Sequence, residues 1–202
     1  MQTNVVMKDL TAKPSDHLAR CPRLHAPECR DEYQRCSSFA SLAPPRSVLL
    51  IGPERPDEFA DALWLARQGH NVTVVNPKET SASKKYMKEG GIFVRARVEE
   101  LPRICSRFHL ICENYPYPSG EQYVPPRAFA LARLSRLAPG GRWVLFTEAV
   151  RFATLLKGVV DYNDDLRSQF SCSFSSLSPC QAPPSAYPPT DTRLRLVFKR
   201  RR

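Results

Sequence analysis

The order of apolar runs and helical patterns predicts an α/β fold, a doubly wound and mostly parallel sheet with an antiparallel pair of strands at its C-terminal end. Short apolar runs alternate with segments of helical spacing from residue 46 to residue 165, which is typical of parallel crossover units. The first run ends in a glycine turn. The last two strand patterns have too few residues between them for a crossover helix, so they should pair antiparallel.

The first unit of the chain is predicted as strand, turn, helix and strand. The strand is the apolar run Val48 to Ile51, which stops at Gly52. Apolar residues at i, i+3, i+4 and i+7 then share one face of a helix that ends near Gly69, and a second strand, Asn71 to Val75, follows at once. Because such sheets bind ligands beyond the carboxyl ends of their strands, the turn at Gly52 is the expected site.

The middle of the chain continues the alternation. Thr80 is suited to cap a short basic helix that ends at Gly90. Alternating apolar residues from Ile92 to Val98 predict a third strand that has one more solvent-exposed face and lies at the edge of the sheet. A fourth strand, Phe108 to Cys112, runs directly into polar and aromatic residues, which again indicates a ligand-binding edge.

The C-terminal half supplies the remaining elements. Apolar residues from Phe129 to Leu137 predict a helix that the Pro-Gly-Gly segment at residues 139–141 stops. A further helix is expected to end near the polar run from Asp161 to Asp165. That helix is assigned to Val150 to Val160, and the fifth strand before it to Trp143 to Phe146. The two final strands are assigned to Phe170 to Leu177 and Leu194 to Phe198.

The chain of 202 residues suits one domain with appendages. Residues 1–45 are polar and end in prolines, so we interpret them as an irregular N-terminal arm before a domain at 46–199 and a basic tail at 200–202. The formal net charge of +10 favours an acidic partner, either a nucleic acid or an acidic protein. The basic clusters at residues 84–97 and 199–202 could contact phosphates, or form a solvated surface and a frayed tail.

Cysteine and histidine in the arm raise a zinc hypothesis, because thiolate and imidazole are preferred zinc ligands. The residues are Cys21, His25, Cys29 and Cys36. Their spacings lack the paired knuckle of compact structural sites, so free thiols in a loosely ordered arm are the favoured interpretation and no metal is expected. The odd total of seven cysteines agrees with a reducing compartment.

Targeting signals are not recognisable in the sequence. No run approaches the roughly 20 apolar residues of a membrane helix. The first residues also lack the apolar core of a signal peptide. We therefore expect a cytoplasmic protein without membrane contact, and if it is exported, a specialised secretion route that delivers it as an effector. The sequence does not determine the oligomeric state.

The segment Leu137-Ala-Pro-Gly-Gly-Arg-Trp and the order of elements resemble the class I S-adenosylmethionine-dependent methyltransferases, over about residues 46–199. One glycine stands in the loop after the first strand where that family usually has two or three, and Asn76 replaces the family's ribose-binding acid. The resemblance implies a Rossmann-like sheet, S-adenosylmethionine as cofactor, and a cofactor site lined by Gly52, Glu54, Asn76 and Glu113.

The sequence Asn114-Tyr-Pro-Tyr117 resembles the Asn/Asp-Pro-Pro-Tyr/Phe motif of amino-methyltransferases, with Tyr115 in place of the first proline. In that family the Asn or Asp oxygen accepts hydrogen bonds from the target amine, and the aromatic ring stacks on the planar base or amide. The resemblance implies that Asn114 and Tyr117 are catalytic. An ordinary Tyr-Pro turn after a strand is the alternative interpretation.

Two hypotheses for function follow. The first is an enzyme that transfers a methyl group from S-adenosylmethionine to an amine or amide of a nucleic acid or protein. The second is a catalytically inactive methyltransferase-like module that binds an acidic partner through its basic surface. The segment Val72 to Pro77, together with the Leu-Ala-Pro-Gly-Gly segment, also faintly resembles methyltransferase-like modules of bacterial polymorphic toxins, which would imply a toxin or effector role.

Overall fold

The computed structural model of the protein describes residues 46–53, 56–101, 107–114, 124–147, 150–177 and 193–202. The strands in these stretches are β1 Ser47–Ile51, β2 Asn71–Val75, β3 Ile92–Val94, β4 Phe108–Asn114, β5 Leu137–Thr147, β6 Phe170–Leu177 and β7 Arg193–Arg200. The helices are α1 Pro56–Arg67, α2 Ser81–Lys88, α3 Pro126–Leu134, α4 Val150–Asp161 and α5 Asp164–Gln169, with a 3₁₀ turn at Val98–Glu100. The N-terminal arm proposed for residues 1–45 lies outside the described residues.

The strands form one sheet in the order β3-β2-β1-β4-β5-β7-β6. β1 pairs in parallel with β2 and β4, and parallel pairing continues to β3 on one side and β5 on the other. β7 is antiparallel to both β5 and β6. The predicted fold class is therefore confirmed. The chain changes its direction of travel across the sheet between β1 and β4, which is the switch point where such folds bind ligands.

Helices cover both faces of the sheet. Successive strand residues point to opposite faces, so neighbouring residues of one strand belong to different core clusters. Leu49 of β1 belongs to the core cluster that contains Trp143 of β5 and Leu156 of α4. Its neighbour Val48 belongs to a second cluster on the other face, with Tyr86 of α2. Burial on both faces explains why β1 is an unbroken apolar run instead of an alternating one.

The Leu-Ala-Pro-Gly-Gly segment begins β5 and does not end a helix. α3 stops at Leu134, earlier than predicted, and the pairing of β4 with β5 shifts register between Phe108 and Leu110. Gly141 lies at this irregularity, where a Cβ atom would be 2.8 Å from the carbonyl oxygens of both Ala138 and Phe108. A side chain cannot fit at that distance, so the glycine is required by the shape of the sheet.

Other boundaries also differ from the prediction. β3 occupies the predicted edge position but stops at Val94, and Val98 instead is buried in the 3₁₀ turn. The polar run after α4 forms the short helix α5, because Asn163 caps it by accepting a hydrogen bond from the Leu166 N–H at 3.0 Å. β7 extends through Arg200, one residue into the predicted basic tail.

Candidate active site

The turn after β1 presents exposed backbone at the switch point. Gly52 has a φ of 75°, in the left-handed region that glycine adopts without strain. Its N–H donates to the Val75 carbonyl of β2 at 2.8 Å, which fixes the turn against the neighbouring strand. Within the described stretches, and apart from Gly52 and its neighbours Ile51 and Pro53, no heavy atom lies within 4 Å of the place where a Cβ of Gly52 would be. The backbone is therefore open to close approach by a ligand.

Asn76 follows β2 and ties two loops together. The side chain is buried, with 2% of the residue exposed. Its Nδ2 donates to the Pro53 carbonyl at 3.1 Å, and its Oδ1 accepts from the Lys78 N–H at 2.8 Å. A carboxylate has no donor, so an acid at this position could not make the bond to Pro53. This bond gives a physical reason for an amide at a position where the family that the sequence resembles has an acid.

Glu113 lies near the end of β4 and forms a buried ion pair. Arg133 of α3 donates to its two oxygens, from Nη2 at 2.7 Å and from Nε at 3.0 Å. Arg133 also binds Glu99 of the 3₁₀ turn, and its guanidinium carbon lies 3.5 Å from the centre of the Phe129 ring. Both residues are buried, with 3% of Glu113 and 4% of Arg133 exposed. Both carboxylate oxygens of Glu113 are thus bonded within the protein.

The charge balance of this cluster explains why it is tolerated in the interior. Burial on its own would lower the pKa of Arg133, but the charges and hydrogen bonds of Glu113 and Glu99 outweigh burial and raise that pKa. A bidentate arginine–carboxylate pair satisfies most donors and acceptors of the two groups. The cluster therefore joins β4, α3 and the 3₁₀ turn just below the carboxyl end of the sheet.

The remaining predicted site residues are only partly described. Asn114 is the last residue of β4, and its backbone lies opposite Phe146 of β5. Its side chain lies outside the described part of the structure, as do Glu54 and Tyr117. The structure therefore brings the backbones of Gly52 and Asn114 to one edge and leaves the side-chain roles of these three residues as predictions.

Sequence reasoning missed Arg133 and Glu99. An indication was present, because Arg133 follows Phe129 by four residues and therefore lies on the same face of the helix. That face is buried in α3. A cation on a buried face needs an ionic partner, so the pattern would have predicted an acidic residue opposite α3.

Among the described residues, no group of three or more histidine, cysteine, aspartate or glutamate side chains is placed to hold a metal ion. Cys21, His25, Cys29 and Cys36 lie outside that part of the chain. No helix in the described stretches combines the length and apolar character that crossing a bilayer requires.

Comparison with known proteins shows similarity in structure. No family model matches the chain, and a search of curated proteins finds no match. The N-methyltransferase NodS from Bradyrhizobium japonicum WM9 superposes with a TM-score of 0.57 at 15% identity, over 89% of this chain and 99% of NodS. TrmN from Thermus thermophilus gives 0.58 at 19% identity, over 90% of this chain and 52% of TrmN.

A third neighbour, the plantazolicin methyltransferase BpumL, gives a TM-score of 0.59 at 11% identity, over 90% of this chain and 85% of BpumL. The chain has the class I methyltransferase fold. This confirms the resemblance to class I methyltransferases that the order of elements and the Leu-Ala-Pro-Gly-Gly segment suggested. The similarity to toxin modules is not tested by these neighbours and stays a prediction.

Proposed function

We propose that the protein transfers a methyl group from S-adenosylmethionine to an amine or amide nitrogen of a nucleic acid or protein. One observation supports this above all others. Ile51 pairs with Glu113, so the next residues, Gly52 and Asn114, leave adjacent parallel strands side by side. Adjacent strands are about 5 Å apart, which brings the proposed cofactor turn next to the proposed acceptor residue.

Solved complexes of proteins with the same fold support the cofactor. NodS has been solved with S-adenosyl-L-homocysteine, and BpumL with the same compound. NodS is an N-methyltransferase, which agrees with an amine or amide acceptor here. S-adenosylmethionine would supply an electrophilic methyl group to this site.

The residues at the switch point fit such a cofactor through the backbone. The exposed left-handed turn at Gly52 leaves room for close approach, and Glu54, two residues on, is the proposed side-chain contact. Asn76 and Glu113 are buried and already bonded within the protein. We therefore assign these two residues to hold the loop and the strand end in place.

Asn114 and Tyr117 are the proposed acceptor-binding residues. A conjugated amine is a poor nucleophile, because its lone pair is delocalised. When the Asn114 side-chain oxygen accepts hydrogen bonds from the amine N–H groups, the lone pair is better able to attack a methyl group. Stacking on the Tyr117 ring would orient the acceptor, and correct orientation supplies much of the acceleration in such reactions.

Calorimetric titration with S-adenosylmethionine and S-adenosyl-L-homocysteine tests the cofactor. We expect saturable binding of both, and Gly52→Ala should abolish it. Gly90→Ala is the matched control, because Gly90 also has a positive φ, 90°, and open space for a Cβ, but ends α2 away from the switch point. Both substitutions should cost about 1–2 kcal/mol of stability, the penalty of a left-handed alanine. Folded protein that releases no heat at millimolar ligand would exclude the enzymatic function.

Methyl transfer itself is tested with a radiolabelled methyl donor and separated RNA, DNA and protein fractions as acceptors. In Asn114→Ala we expect cofactor affinity to persist while turnover falls by about two orders of magnitude, the usual cost of one lost hydrogen-bonding group in an active site. Cofactor binding without labelling of any fraction would favour the inactive interaction module.

A further inference from the structure

The opposite edge of the sheet carries a row of cationic residues. β1, β2, β4 and β5 begin at this edge, and the antiparallel strand β7 ends there. We call it the amino edge, and define it by the residues before, in or after these strand ends: Arg46, Arg107, Arg142, Lys199, Arg200, Arg201 and Arg202. They come from distant parts of the sequence, so only the sheet order brings them together.

Contacts along the edge show that its members are neighbours. The Ser47 hydroxyl donates to the Arg107 carbonyl at 2.7 Å, which joins the start of β1 to the start of β4. Arg142 of β5 pairs with Lys199 of β7 across the sheet. Burial and the charge of Arg107 both lower the pKa of Arg200. Arg107 and Arg200 are therefore close enough to repel each other.

Hydrogen bonds hold the Arg200 side chain and the Arg201 backbone against the sheet. Arg200 donates from Nη1 to the Leu137 carbonyl at 2.7 Å, and the Arg201 N–H donates to the Gln169 carbonyl at 2.8 Å. The Arg202 side chain runs past Gly140, at 3.6 Å from the place where a Cβ would be. Because the Arg200 side chain is already held, it loses less conformational entropy when it binds an anion.

Several cations away from the amino edge pair with acidic side chains. These ion pairs join acidic residues to Lys84, Arg133, Lys157 and Arg167. Arg107, Lys199, Arg201 and Arg202 are exposed. Like charges that lie close together repel one another, so an anionic partner at this edge would relieve the repulsion.

We propose that the amino edge binds the phosphate backbone of a nucleic acid. Four neighbouring strands, β1, β4, β5 and β7, contribute cations to the edge, and at about 4.8 Å between strands the row is about 14 Å long. A nucleic acid strand presents a phosphate every ~3.4 Å along the axis, so the row matches an extended, evenly charged polymer. Arginine predominates, and its planar guanidinium suits phosphate oxygens better than lysine does. Recognition of this kind is independent of base sequence.

The amino edge is remote from the candidate active site. Arg46 and Gly52 flank β1, and at about 3.3 Å per residue about 20 Å of strand separate them. Binding at the amino edge therefore does not require S-adenosylmethionine, and it is expected even if the proposed methyl transfer fails. If both proposals hold, the edge would retain a nucleic acid while the switch point modifies an acceptor.

Fluorescence anisotropy with labelled single-stranded RNA and duplex DNA tests the proposal in the full chain. The test variant is Arg107→Gln, Arg201→Gln and Arg202→Gln. The control variant is Lys85→Gln, Lys88→Gln and Arg95→Gln, which removes the same charge from exposed residues of and beyond α2. We expect at least about tenfold weaker binding in the test variant, and a salt slope that falls by about 0.7–0.9 for each lost phosphate contact.

Each other outcome would overturn the proposal. If the control variant loses affinity and the test variant does not, nucleic acid binds beside α2. If labelled polyglutamate binds as tightly as nucleic acid, the partner is an acidic protein. If nothing binds at low salt, the edge has no polyanionic partner. Circular dichroism melts check folding, because surface substitutions of this kind change stability by only about 0.5 kcal/mol.

Discussion

At the carboxyl edge of the sheet the described polar side chains bond to groups of the protein, whereas at the amino edge most cationic side chains are exposed. Asn76 and Glu113 are buried and bonded. Arg107, Arg201 and Arg202 are exposed. A polar residue at the carboxyl end of a strand can therefore be bonded within the protein, whereas a cation at the opposite edge can stay exposed.

Arg133→Met should have the largest effect, because it leaves Glu113 buried without its counterion. We expect the free energy of unfolding to fall by about 3–5 kcal/mol, as for other broken buried ion pairs. Urea unfolding followed by circular dichroism measures the change. The double variant Glu113→Gln with Arg133→Met removes both charges and should recover much of the loss. Wild-type stability in the single variant would mean that the ion pair of Glu113 and Arg133 does not stabilise the fold.

Asn76→Asp should have an intermediate effect. It distinguishes a structural role of Asn76 from a role in binding the ribose of the cofactor. The carboxylate cannot donate to the Pro53 carbonyl, so we expect a loss of about 1–3 kcal/mol and weaker S-adenosylmethionine binding. Asn71→Asp is the control, because Asn71 is the exposed first residue of β2, the strand that Asn76 follows, and it receives the same charge. Tighter cofactor binding with unchanged stability in Asn76→Asp would show instead that this position contacts the ribose.

The pH dependence of stability should show the smallest effect, and it reports on the amino edge. Burial and the charge of Arg46 lower the pKa of both His70 and His109. The unfolded chain therefore binds more protons, and the stability that neutral histidines provide is lost as the pH falls below about 6.5. Thermal unfolding between about pH 7.5 and about pH 5.5 measures this loss. Arg46→Gln should lose less over the interval, and equal slopes would show that Arg46 does not act on these histidines.

Local patterns predicted much of the fold. β2 has the predicted bounds, Asn71–Val75, and Thr80 caps α2 by accepting from the Ser83 N–H at 3.2 Å. Strand periodicity and caps depend on residues a few positions apart, so they are visible in the sequence. The Leu-Ala-Pro-Gly-Gly segment is different. Its turn residues are typical of a helix stop, but the close approach of Phe108 to Gly141 makes it part of β5.

The candidate site was predictable in position but not in the state of its side chains. Gly52 and Asn114 were expected at strand ends, and the sheet brings their backbones together. The pairing of Glu113 with Arg133 joins residues that are 20 positions apart in the sequence. No local pattern encodes such a contact, since it depends on how α3 packs against β4.

Periodicity, turn residues and connection lengths act locally, so the sequence already predicts the alternation of strands and helices, the glycine turn after β1 and the antiparallel end of the sheet. Which charges meet depends on the folded chain. Asn76 and Glu113 are buried in the folded chain, and a buried polar group needs hydrogen-bonding partners. Strand order aligned arginines from four distant segments along the amino edge. Electrostatic environment is a property of neighbours in space, and those neighbours exist only in the folded chain.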